Sequence, residues 1–82
     1  MKVFKDLLTP EEENRLQALD NWHRTFEDKR LRMECPDAYH EELLRQSDEM
    51  DRRRIVTWVE WRDLRCAADQ AYLQAIAGGD YH

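Results

Sequence analysis

Ile55-Val56-Thr57-Trp58-Val59-Glu60-Trp61 is the densest apolar run in a chain whose residues are 38% charged. Arg52, Arg53 and Arg54 precede it and Arg62 and Arg65 follow, so two tryptophans stand in a cationic frame within a chain of formal net charge -5. How this run folds decides how the rest must pack. Its β-branched and aromatic content would suit a strand, but no second run offers itself as a partner strand. The flanking sequence is helical instead: Glu41–Arg45, Asp48–Arg52 and Glu49–Arg53 are acid-before-base pairs at i,i+4 spacing, the arrangement that supports an exposed helix. Between Asp37 and Gly78 there is no glycine, proline or asparagine. The pattern therefore predicts one long helix from about residue 37 to about residue 77, closed by Gly78-Gly79. The alternative is a break near 51–54, which would give a monomeric three-helix bundle.

Upstream, Cys35-Pro36-Asp37 interrupts the chain, because proline cannot continue a helix and pushes the residue before it out of helical geometry. Before it, Thr9-Pro10-Glu11-Glu12 carries a capping threonine, a proline at the first helical position and a glutamate three residues after the cap, the signature of a helix start. From there to about Glu34 no breaker occurs. Leu16, Leu19, His23, Phe26, Arg30 and Met33 recur at alternating three- and four-residue steps, a coiled-coil-like seam, with Trp22 on its flank. Glu11–Arg15, Asp20–Arg24 and Asp28–Arg32 add further pairs.

The expected fold class is all-α: an antiparallel helical hairpin of helices 10–34 and 37–77 within a single domain spanning 1–82, with residues 1–8 as an N-terminal arm and 78–82 as a tail. Leu16, Leu19, Trp22, Phe26, Met33, Leu43, Met50 and Leu64 are the expected core, and the arm is expected to lie on Ala68, Ala71 and Ala75.

Composition agrees. Only 2 Gly and 2 Pro occur, 41% of residues are hydrophobic, and 3 Trp, 3 Tyr and 2 Phe make the chain too aromatic to stay disordered. At 82 residues a core is small enough that oligomerisation often helps. The chain contains no apolar run of the length of a secretory signal or a membrane span, so a soluble, cytoplasmic protein without membrane association is expected. Cys35 and Cys66 lack paired spacing and read as reduced thiols.

The chemistry-bearing residues point away from an enzyme. Ser47 is the lone serine, in a polar helical stretch, and both glycines lie together near the C-terminus, so neither a nucleophile motif nor a phosphate loop is present. Asp20-x-x-His23 and Asp37-x-x-His40 echo the carboxylate-x-x-His spacing of helical metal sites. In the hairpin, however, they would stand roughly 20 Å apart along the axis. No metal and no cofactor are expected, and His23 reads as a polar residue punctuating the seam.

Projected at about 100° per residue, helix 37–77 bears two apolar faces. One carries Leu43, Met50, Thr57, Trp61, Leu64, Ala68, Tyr72 and Ala75; the other carries Leu44, Ile55, Val59, Cys66 and Leu73. The first helix has a single stripe, so a second copy of the chain is the simplest cover for the remaining face. The expected homodimer interface is Ile55, Val59, Cys66 and Leu73, completing a helical bundle. Arg54, Trp58, Trp61, Arg62 and Arg65 combine the residue types that protein interfaces concentrate and are the expected partner-binding set.

The expected function is a small acidic adaptor or inhibitor acting by protein–protein interaction. In size and composition it is similar to the small accessory or inhibitor proteins encoded by phages and mobile elements. The competing reading is a nucleic-acid-binding regulator using the Arg54, Trp58, Trp61 and Arg65 face, where cations interleaved with aromatics would hold phosphates and stack bases. A sequence pI near 5.1 weighs against it.

Overall fold

The computed structural model describes residues 8–79. They form four α-helices: α1 (Pro10–Phe26), α2 (Lys29–Glu34), α3 (Pro36–Arg52) and α4 (Trp58–Gln74), the last running on into a wider π-type turn at Ala75–Gly79. No strand occurs among the described residues.

The single rod expected over 37–77 is two helices. At the end of α3 the Ile55 N–H donates to the Met50 carbonyl at 2.9 Å and the Arg54 N–H to the Asp51 carbonyl at 3.0 Å. This is the Schellman pattern that closes a helix through a left-handed residue. That residue is Arg54, at φ 58, a conformation that glycine adopts freely and arginine adopts at a cost. Three residues later the chain restarts on a capping box: the Thr57 hydroxyl accepts from the Glu60 N–H at 3.1 Å while the Glu60 carboxylate accepts from the Thr57 N–H at 2.8 Å. Closing and opening devices back to back make the break a built feature.

The helix expected over 10–34 is also divided, at Glu27-Asp28. The Asp28 carboxylate caps α2 by accepting from the Leu31 N–H at 3.0 Å. The buried Tyr39 hydroxyl donates to the Phe26 carbonyl at 2.7 Å and so satisfies the end of α1. The Asp28 N–H, turning back to the Thr25 carbonyl at 3.1 Å, tightens the last turn. The chain then leaves at a new angle and lays α2 against α3. The arm expected over 1–8 lies, apart from Leu8, outside the described residues. The alanines it was expected to cover, Ala68, Ala71 and Ala75, are buried.

Helix α3 is the middle of the fold, with α1, α2 and α4 all packed on it. The core is Trp22, Tyr39, Leu43, Met50, Val56, Ala68 and Ala71, flanked by half-buried Leu19, Phe26 and Leu64 among others. Trp22 is its hub. The indole N–H reaches the Ser47 hydroxyl at 2.9 Å and the Leu43 carbonyl at 3.1 Å, and Ser47 itself donates to Leu43. This satisfies the hydroxyl of Ser47, a polar side chain buried to 0% exposure, as burial away from water requires. Phe26 stacks on Trp22 with centroids 5.0 Å apart.

Leu16 (53% exposed) and Met33 (58% exposed) are not core. The buried face of α1 is centred on Trp22, Ala18 and Leu19, one stripe over from the expected seam, and the break at Asp28 carries Met33 onto a different helix. The expected ion pairs shift in the same way. Asp20–Arg24 forms at 3.0 Å, but Arg45 pairs with Glu42 and Arg52 with Glu49, one residue closer. Arg15 and Asp48 leave their own helices altogether for partners on α4. No helix among the described residues is long and apolar enough to cross a membrane.

Candidate partner-binding surface

Helix α4 is pinned to the body at three heights. At its start Arg15 of α1 forms a fork onto Glu60, with bonds of 3.0 and 2.6 Å, and also donates to the Ile55 carbonyl at 3.0 Å. The guanidinium, together with the capping N–H of Thr57, holds the Glu60 carboxyl down to about 2. At mid-length Asp48 of α3 accepts from the Trp61 indole N–H at 2.9 Å and from Arg65 at 2.7 Å, with the Arg65 guanidinium lying 5.3 Å from the Trp61 ring centroid. Near its end the Tyr72 hydroxyl donates to Asp37 at 2.6 Å, His40 meets Asp69 at 2.6 Å, and the His40 and Tyr72 rings stack at 4.5 Å.

These anchors fix which side of α4 looks inward. Ala68, Ala71 and Ala75 are buried and Leu64 is half-buried. At about 100° per residue the side roughly opposite carries Val59, Cys66 and Leu73, each seven residues after the last. All three are exposed, Leu73 to 57%. Trp58, 63% exposed, borders this strip with the Arg62 guanidinium 5.3 Å from its ring centroid. Ile76, in the final turn, is exposed to 40%. The exposed apolar side chains of the strip all lie along one helix, which makes its outer face the candidate surface.

The structure thus separates the expected partner-binding residues. Trp58 and Arg62 form one aromatic–cation pair on the outer edge, and Trp61 and Arg65, both half-buried, form a second against Asp48. Arg54 stands apart, in the loop before α4, lining a shallow cavity of about 290 Å³ with Arg53, Glu11 and Glu12. Of the expected dimer residues, Val59, Cys66 and Leu73 come together, whereas Ile55 is half-buried against the chain's own core.

The two carboxylate–histidine spacings are also resolved. Asp20 pairs with Arg24, whereas Asp37 and His40 are both engaged by α4. Among the described residues no group of three or more His, Cys, Asp or Glu is arranged to hold a metal ion.

The residues that position this surface were less visible in the sequence than those that form it. Thr57-Trp58-Val59-Glu60 repeats the Thr-x-x-Glu spacing of Thr9 and Glu12, so the start of α4 carried a readable signal. Nothing local marks Arg15 as the partner of Glu60. Comparison with family models, with curated proteins and with solved structures finds no match.

Proposed function

We propose that this chain is a small acidic protein-binding module, an adaptor or inhibitor that works by occupying a surface of another protein and associates with a second copy of itself. The observation that carries the reading is the solvent-side strip of α4. Trp58, Val59, Cys66 and Leu73 lie exposed on a helix immobilised by Arg15, Asp48 and Asp37. Binding energy at interfaces concentrates in tryptophan and arginine held in place beforehand, and the Trp58–Arg62 pair meets both conditions. The antiparallel packing of α1 on α3, with Trp22 against Ser47 and Thr25 reached by Gln46 at 3.1 Å, supplies the rigid body behind that surface.

Affinity capture from lysate with tagged wild-type chain, compared quantitatively with Trp58→Ser and Arg62→Glu, tests this. Both substitutions are of exposed residues and leave the core intact. A specific protein retained by the wild type and lost from both variants is the expected result. An identical retained set from all three would contradict the assignment. The nucleic-acid reading is separated by salt: phosphate contacts weaken steeply between low and physiological salt, whereas a tryptophan-anchored protein contact changes little.

A further inference from the structure

We infer that α4 pairs with α4 of a second copy in antiparallel orientation, about a two-fold axis passing at Cys66. This rests on the self-association proposed above and specifies its geometry. A two-fold interface must be complementary to itself, and the strip is built symmetrically about its middle. Val59 precedes Cys66 by seven residues and Leu73 follows it by seven. An antiparallel mate therefore sets Val59 of each copy against Leu73 of the other, roughly 10.5 Å either side of the axis, with the two Cys66 side chains meeting at the centre. Small against large fills each layer. A parallel mate would oppose valine to valine and leucine to leucine.

Two flanking features select the antiparallel arrangement. At about 100° per residue, Trp58, Arg62 and Asp69 all lie on the same flank of the strip. A two-fold axis perpendicular to the helices brings this flank of one copy against the same flank of the other. Arg62 then comes level with Asp69 of the second copy, and the rotation makes that contact twice. Among the described residues the acidic partner of Arg62 is its sequence neighbour Asp63, at 3.2 Å, and Asp69, which meets His40 through one carboxylate oxygen at 2.6 Å, is still 60% exposed at the side chain. The same rotation brings the exposed Trp58 beside Leu73 of the second copy, so the two most exposed apolar side chains of α4 cover each other. In a parallel pair Trp58 would find only Val59.

The seam is one helix long, which places it at the small end of interface sizes, with dissociation expected at roughly 10–100 µM. The test uses exposed positions only. In a Cys35→Ser background, a short bismaleimide at concentrations where light scattering reports dimer should link two chains through Cys66, and Cys66→Ser should abolish the product. With both native cysteines replaced, Val59→Cys alone and Leu73→Cys alone should each give little dimer, while an equimolar mixture of the two should give mixed dimer several-fold more efficiently. Efficient linking of each single variant to itself would mean a parallel pair and overturn the inference. Dimer by light scattering without a Cys66 link would overturn the geometry but leave self-association standing. A monomer throughout would remove both.

Discussion

Trp22 and Glu60 show what single side chains contribute. Trp22 fills the contact between α1 and α3 and donates its one polar hydrogen to buried acceptors. Trp22→Ala should therefore cost about 3–5 kcal/mol, enough to unfold much of a domain this small. Ser47→Ala removes only one of two acceptors and should cost about 1 kcal/mol, with urea denaturation reading the difference.

Glu60 makes the chain sensitive to acid. Its carboxyl is held at about 2, below its ordinary 4.5, chiefly by the hydrogen bonds from Arg15. The stability this contributes is fully present above about 4.5 and is lost as pH falls toward 2. Glu60→Gln should lower stability near neutrality and flatten the decline between those limits. Parallel pH profiles for the two proteins would count against the Arg15 contact.

At the scale of elements, the decisive event is the turn between α3 and α4. The all-helical class, the start of α1 at Thr9 and the stop at Pro36 were legible because each rests on local chemistry: a cap, a missing N–H, a scarcity of breakers. The turn at Arg54 was legible only as the alternative, a break near 51–54, and not as the preferred reading, because its left-handed residue is arginine and its closing hydrogen bonds involve only backbone. The outer strip of α4 was readable from periodicity alone, and Val59, Cys66 and Leu73 fall on one exposed side. Ile55 was misassigned to that strip because the projection carried one helical phase across a break that resets it.

Arg54→Gly tests the turn by sign. Glycine relieves the left-handed strain and should stabilise by up to about 1 kcal/mol. Were the chain helical through this point, the same change would destabilise by about 1 kcal/mol. Thr57→Ala, which deletes the cap of α4, should cost about 1 kcal/mol, with urea denaturation reading both changes.

For the whole molecule, the fold is a three-sided packing around α3 that leaves the far side of α4 uncovered. The Arg15–Glu60 fork at one end of α4 and the His40–Tyr72 stack at the other tie its inner face to the body, which leaves the strip on the opposite side exposed. Leu73→Asp should therefore leave helicity and melting temperature near wild type while abolishing self-association. Leu16→Asp, an equally exposed substitution on α1, should leave association unchanged.

The most direct measurement is light scattering of the wild-type chain over a concentration series reaching about 200 µM, a range set by the small seam. The apparent mass should rise from the 10.0 kDa of one chain toward twice that value, and Leu73→Asp should hold it at one chain. A wild-type mass that stays at 10.0 kDa across the series would contradict the assignment of α4's outer face to a second copy.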